Sequence, residues 1–190
     1  VVHETPDNVL LFIDEAYHEF AVHAGGPDAL EVVLRERKGP WIVSRTFSKA
    51  YALAGLRLGY ALCSSLEIAN AVRLVSSTFV VSAFAEAAAL AALDDPDYSR
   101  FIVEDTARER ARIVEGFRAL GCIPMNSVTN FVSADIGRSG AEMVTAMRAR
   151  GIRIARWSYP DYANYIRVSM GSPEDTDAFL AALADILGTS

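Results

Sequence analysis

At 190 residues with 52% hydrophobic composition, the chain can bury a sizeable core in one or two domains and is too apolar to be disordered. Eighteen Lys and Arg against 24 Asp and Glu give a formal charge of −6, which argues against a nucleic-acid-binding surface. Cys63 and Cys122 stand far apart without Cys-x-x-Cys spacing, so neither a disulfide framework nor a zinc site is indicated.

The run Val9-Leu10-Leu11-Phe12-Ile13 reads as a buried strand ending at Asp14, whose carboxylate then falls at the strand's C-terminal edge, where open α/β sheets place their ligands. Behind the break Gly25-Gly26-Pro27, residues 28–37 predict a short helix and Trp41-Ile42-Val43 a second buried strand. A third strand is expected over 58–63, a helix over 66–75, and an alanine-rich helix over 83–93 ended by Asp94-Asp95-Pro96. From Tyr98 the character changes. Residues 100–120 have the charge density and spacing of one long amphipathic helix, so a boundary is expected near residue 97, dividing residues 1–97 from residues 98–190. The remainder predicts strands at 130–134, 152–155 and 165–169, a helix at 141–150, and a last helix opening at Ser172-Pro173-Glu174-Asp175. Strands alternating with helices indicate the α/β class.

The most informative segment is Ser44-Arg45-Thr46-Phe47-Ser48-Lys49-Ala50-Tyr51-Ala52-Leu53-Ala54-Gly55-Leu56-Arg57-Leu58-Gly59-Tyr60. An imine-forming lysine must spend time as the neutral amine, whereas a free lysine with a pKa of about 10.4 is protonated at neutral pH. Burial and nearby cations favour the neutral form. Phe47, Tyr51, Leu53, Leu56 and Leu58 are positioned in sequence to exclude water around Lys49, and Arg57 and Arg45 bring positive charge. Arg57 also suits a phosphate ester, because its planar guanidinium offers paired donors, and the hydroxyls of Thr46 and Ser48 add compact donors from the same stretch. Pyridoxal chemistry further needs an anion against the ring nitrogen, a role that fits Asp14, and Tyr17 supplies a phenol three residues on. Taken singly, each residue has an ordinary alternative: Asp14 as a turn cap, Arg57 as an ion-pair partner, Ser48-Lys49 as solvated surface. Their joint order favours the cofactor site.

With these residues the chain resembles the histidinol-phosphate aminotransferase group of fold-type I pyridoxal-phosphate enzymes through nearly its whole length. Asp14-Glu15-Ala16-Tyr17 matches the family's Asp-Glu-Ala-Tyr motif, and Arg45 to Gly59 matches its Arg-Thr-x-Ser-Lys-x-x-x-Leu-Ala-Gly-Leu-Arg-x-Gly pattern. The resemblance implies that residues 1–97 are part of the large cofactor-binding domain, with a mainly parallel sheet, and that residues 98–190 are a small C-terminal α/β domain. It implies pyridoxal 5'-phosphate as cofactor, Lys49 as the Schiff-base lysine, Asp14 as the pyridinium partner, Tyr17 as the donor to the ring 3-oxygen, and Thr46, Ser48 and Arg57 as phosphate ligands. Tyr165-Ile166-Arg167-Val168-Ser169-Met170-Gly171 is similar to the family segment whose arginine binds the substrate's anionic group, which makes Arg167 a substrate-binding candidate. Arg156 resembles a second family arginine near the substrate, with surface exposure as its alternative.

The implied activity is amino transfer between L-histidinol phosphate, as donor, and the 2-oxo acid 2-oxoglutarate, by a homodimer with active sites at the subunit interface. A phosphothreonine decarboxylase or an aromatic amino-acid aminotransferase would share the same cofactor motifs, and an inactive fragment or dimerisation module is the non-enzyme alternative. The family carries a ring-stacking aromatic, a phosphate-holding glycine loop and an asparagine before the Asp-Glu-Ala-Tyr motif, so this chain is expected to be the C-terminal portion of a longer enzyme with a large apolar surface exposed. His18 and His23 with Glu15 and Glu19 fit no standard zinc pattern. Thr46-x-x-Lys49 has no Ser-Asp-Asn or Lys-Thr-Gly partner, and no Gly-x-Ser-x-Gly appears, which argues against acyl-enzyme chemistry. No apolar run approaches the roughly 20 residues of a membrane span, and the first residues lack signal-peptide character, so a cytoplasmic location is expected.

Overall fold

A computed structural model of the protein describes residues 1–77 and 80–188. The chain forms two compact units, Val1–Val103 and Glu104–Ser190. Their division falls inside the long helix that the charge pattern of residues 100–120 announced.

In the first unit, strand β1 (Leu11–Asp14), helix α1 (His18–His23), helix α2 (Ala29–Glu36), strand β2 (Trp41–Thr46), strand β3 (Gly59–Cys63), helix α3 (Leu66–Val75) and helix α4 (Ala83–Leu93) follow in order, and helix α5 (Pro96–Ala119) begins. The sheet runs β1-β2-β3, with β1 parallel to β2 and β3 antiparallel to β2. Alternation along β1 sends Leu11 and Ile13 into a cluster with Val33, Trp41 and Val43, beneath α2. The opposite face of β1 is open at Phe12, which is 59% exposed, and Val9 and Leu10, just before the strand, are exposed as well. The uniformly buried strand expected from the apolar run is therefore corrected to a half-buried one, because among the described residues β1 pairs only with β2 and is covered on one face. The helical side likewise exposes apolar residues, with Phe84, Leu90 and Leu93 of α4 all facing outward.

The second unit adds strand β4 (Ile123–Pro124), strand β5 (Phe131–Asp135), helix α6 (Gly140–Ala149), strand β6 (Ala155–Arg156), strand β7 (Tyr165–Ser169) and helix α7 (Pro173–Leu187) to the end of α5. Its sheet, ordered β4-β5-β7-β6, is antiparallel throughout. One face is apolar in strict alternation: Val132 and Ala134 of β5 and Ile166 and Val168 of β7 bury against Ile113 and Phe117, Met143 and Met147, and Phe179 and Leu183 of the helices. Helix α7 starts as its sequence predicts, with Pro173 at the first turn and a reciprocal Ser172–Asp175 capping box. The strand expected at 152–155 is displaced. Ile152 and Ile154 pack against the core, and among the described residues the backbone ladder forms only where Ala155 meets Arg167 and Arg156 meets Ile166.

Cys63 and Cys122 are both free thiols. Burial raises the Cys122 thiol's pKa, so it behaves as a packed side chain rather than a reactive thiolate. No helix among the described residues is long and apolar enough to cross a membrane.

Candidate active site

Parallel pairing of β1 with β2 aligns Asp14 with Ser44, so both strands end at the same edge of the sheet. Asp14 stands at that edge, and the Glu15 N–H continues the ladder to the Ser44 carbonyl at 2.9 Å. Residues 47–58 leave β2 and return to β3 as one loop closed by the Thr46·Gly59 pair. Gly59 is required there, since a Cβ would lie 2.7 Å from the Arg45 carbonyl oxygen. The loop therefore starts and ends at the edge that carries Asp14.

Several contacts fix the loop's shape. The Phe47 N–H donates to the Leu58 carbonyl at 3.1 Å, and the Leu53 N–H to the Phe47 carbonyl at 3.0 Å. Phe47 is buried between Tyr51 and Tyr60, with ring centroids 5.1 and 5.7 Å away. Ala52 and Arg57 both adopt left-handed backbone, with φ of 57° and 53°. For residues with a side chain this is uncommon and costs energy that the surrounding packing must cover, a feature that gathers at functional loops.

Within this frame, Lys49 Nζ lies 5.3 Å from the centroid of the Tyr17 ring. The Thr46 hydroxyl donates to Ser48 Oγ at 3.0 Å and accepts the Ser48 N–H at 3.1 Å, so the two hydroxyls form one polar pair beside the lysine. Asp14 Oδ1 accepts the Ala16 N–H at 3.0 Å, the turn-capping role open to a strand-end aspartate, while the residue stays exposed. The exposed Arg57 uses one nitrogen on the Ala54 carbonyl at 2.8 Å. Asp14, Tyr17, Thr46, Ser48, Lys49 and Arg57 are thus all borne by the C-terminal ends of β1 and β2 and the loops that leave them.

Arg45 departs from expectation. The sequence suggests a cation beside Lys49, but Arg45 is held by Glu15 and Asp28: Nε and Nη2 donate to Glu15 Oε2 at 3.0 and 2.9 Å, and Nη2 to Asp28 Oδ1 at 2.7 Å. Although burial works against its charge, the Glu15 and Asp28 carboxylates hold its pKa above the ordinary arginine value. Asp28 also caps α2 through the Leu30 N–H at 2.8 Å, and Glu15 Oε1 accepts the Ala29 N–H at 2.9 Å. His18 stands beside the same carboxylates, with Nδ1 3.6 Å from Glu15 and Nε2 3.8 Å from Asp28. Ligand atoms of Glu15, His18 and Asp28 lie within 4.8 Å of one another, but the cluster's cation is the Arg45 guanidinium itself.

In the second unit, Arg167 lies on the sheet face opposite the apolar core. Its guanidinium carbon is 3.9 Å from the Phe131 ring centroid and 5.6 Å from that of Trp157. The register pairs Arg156 with Ile166 and Ala155 with Arg167, so alternation sends Arg156 to the other face. Arg156 is exposed and donates to the Trp157 carbonyl at 3.2 Å. Sequence reading missed Phe131, Ser133 and Trp157 as neighbours of Arg167. The two-residue spacings 131/133 and 155/157 were the available signal.

The aminotransferase class I and II family model matches residues 2–183. A histidinol-phosphate aminotransferase of Methylococcus capsulatus is 40% identical over 182 residues, 96% of this chain and 48% of that protein. One from Pseudomonas aeruginosa is 39% identical over 97% of this chain and 49% of its own length. The crystal structure of histidinol-phosphate aminotransferase from Sinorhizobium meliloti in complex with pyridoxal-5'-phosphate is similar with a TM-score of 0.82 at 35% identity, covering 97% of this chain and 50% of that one. The chain spans about half the length of the curated relatives it matches.

Proposed function

Because the chain belongs to the aminotransferase class I and II family, we propose that it provides the lysine-bearing part of a pyridoxal-phosphate-dependent aminotransferase that passes the amino group of L-histidinol phosphate to 2-oxoglutarate. The α/β architecture is that of the family's fold-type I enzymes. The observation that carries the reading is the placement of Lys49, 5.3 Å from the Tyr17 ring on a loop closed at the sheet edge that ends in Asp14.

The donor set fits the cofactor: one amine, one carboxylate, one phenol, a pair of hydroxyls 3.0 Å apart and one guanidinium. When bound, pyridoxal phosphate supplies an electron-accepting ring that stabilises negative charge developing at the substrate α-carbon. Lys49 Nζ would hold the cofactor and would carry a proton at that carbon. Asp14 would hold a proton on the ring nitrogen by its negative charge, and the Tyr17 phenol would donate to the ring 3-oxygen. Thr46, Ser48 and Arg57 take the phosphate, Arg57 with the donors left beyond its Ala54 contact. Arg167, in the second unit, takes the substrate's anionic end. Alternation sends Arg156 to the opposite face of its sheet, so we assign that end to Arg167 alone.

The substrate choice rests on relatives named histidinol-phosphate aminotransferase at 39–40% identity, and the same resemblance supports a homodimer. The test uses the protein as encoded in full. After incubation with pyridoxal phosphate and reduction with borohydride, peptide mapping is expected to find the cofactor on Lys49 alone; modification elsewhere ends the assignment. Half-reactions with histidinol phosphate, phenylalanine and phosphothreonine then rank the donors. A fastest response to phenylalanine, or carbon dioxide release from phosphothreonine, would move the protein to one of those activities.

A further inference from the structure

Arg167 sits in a setting that its motif does not specify. Antiparallel register aligns Ser133 of β5 and Ala155 of β6 with Arg167 on the middle strand β7. Directly opposed residues share a face, and so do residues two apart, so Phe131, Ser133, Ala155, Trp157 and Arg167 gather on one side of the sheet. Ser133, at 3% exposure, is buried there, and its Oγ accepts the Trp157 indole N–H at 3.0 Å. That bond fixes the rotamer of a side chain whose ring is 5.6 Å from the Arg167 guanidinium, while Phe131 stacks at 3.9 Å.

Aromatic contact acts on the guanidinium's face and leaves the in-plane N–H donors uncommitted. Among the described residues no carboxylate pairs with Arg167 and no hydrogen bond draws on those donors. The arginine is thus restrained without being neutralised. A carboxylate arriving in the guanidinium plane meets paired donors whose orientation has already been set, so less side-chain freedom is lost on binding.

We propose that Trp157, locked by Ser133, and Phe131 are positioning residues for Arg167, orienting its guanidinium for a bidentate carboxylate. The proposal rests on the reading of Arg167 as the group that meets the substrate's anionic end. Its experiment keeps the two separable.

The test is a double-mutant cycle on the protein as encoded in full, loaded with cofactor, reading the dissociation constant of 2-oxoglutarate by calorimetry together with KM and kcat. Trp157→Ala is expected to weaken 2-oxoglutarate binding about tenfold, a typical effect for a partly desolvated cation–π contact, with kcat within about threefold of the parent. Trp157→Phe, which keeps a ring, should recover most of the loss. On an Arg167→Met background the same Trp157→Ala change should cost less than about twofold, because the cation to be positioned is gone. A full tenfold loss on that background, or no loss in Trp157→Ala alone, overturns the proposal. If Arg167→Met itself leaves 2-oxoglutarate binding unchanged, the underlying reading of Arg167 fails instead. Should Trp157→Ala not fold, Ser133→Ala runs the same cycle: a loss of about threefold confined to the Arg167 background supports positioning, and an equal loss on both backgrounds refutes it.

Discussion

The Arg45 guanidinium donates from both Nε and Nη2 to one oxygen of Glu15, with the two side chains about nine-tenths withdrawn from solvent. Glu15 lies between Asp14 and Tyr17 in sequence, and its other oxygen holds the N-terminus of α2 through the Ala29 N–H. The turn that presents the proposed ring-binding groups is therefore tied to β2 on one side and to α2 on the other. Removing one member of such a pair leaves a buried charge without its partner. Arg45→Met is expected to destabilise the protein by about 3–5 kcal/mol, read from chemical denaturation. Glu15→Gln combined with Arg45→Met should cost less than the sum of the single changes.

Glu19, on α1, behaves differently. Burial pushes its carboxyl pKa above the ordinary value, and its own backbone hydrogen bond and the charges of His18 and Arg45 offset only part of that effect. A raised carboxyl means that folding favours the protonated form. The stability it contributes is present below its unfolded value near 4.5 and is lost as pH rises through the folded value. Glu19→Gln, which stays neutral, should raise the melting temperature at pH 7 and lose that advantage as pH falls towards 4.5. An equal gain at both pH values would place the effect in packing rather than charge. Tyr51 is subject to the same environment: burial, followed by the nearby Glu19 carboxylate, raises its phenol pKa.

What the sequence made legible follows the size of each signal. The segment at 44–60 stands out in the sequence because many independent residue types coincide in it, and the loop at 47–58 that it contains leaves and rejoins the sheet at one edge. Helix α1 was not readable: six residues with no side-chain N-cap leave too little periodicity to detect. Strand β4 is two residues long and contains Pro124, below any pattern threshold. At 152–155 the alternation was present and its meaning was misjudged, since the isoleucines anchor to the core while the ladder starts later. Arg45 was misread because charge is visible in sequence but pairing is not. Its partners Glu15 and Asp28 lie 30 and 17 positions away.

Gly59 offers a steric test of the loop. Its missing Cβ would come within 2.7 Å of a backbone oxygen on the adjacent strand, a contact that no side-chain rotation relieves. Gly59→Ala should destabilise the protein by about 1–3 kcal/mol. Because Thr46·Gly59 closes the loop that carries Lys49, cofactor retention after gel filtration should fall with it. Gly55, around whose Cβ position nothing among the described residues lies within 4 Å, is the control: Gly55→Ala should change stability by less than about 1 kcal/mol.

Asp14 allows charge to be separated from structure. Its Oδ1 accepts the Ala16 N–H at 3.0 Å, and an asparagine keeps that acceptor in nearly the same shape while removing the negative charge. Asp14→Asn should therefore leave the turn and the melting temperature close to the parent's. If the carboxylate keeps a proton on the cofactor ring, its loss removes stabilisation that matters most in the transition state, and the chemical step should slow by about 100-fold or more while cofactor affinity changes by less than about tenfold. Lys49→Ala is the companion measurement, expected to abolish both borohydride-fixed cofactor and turnover. Single-turnover rates and cofactor titration on the two variants check both outcomes. An Asp14→Asn protein that loses affinity yet keeps the parent rate when saturated with cofactor would reduce Asp14 to a turn cap, and parent-rate transamination by Lys49→Ala would remove the lysine from the chemistry.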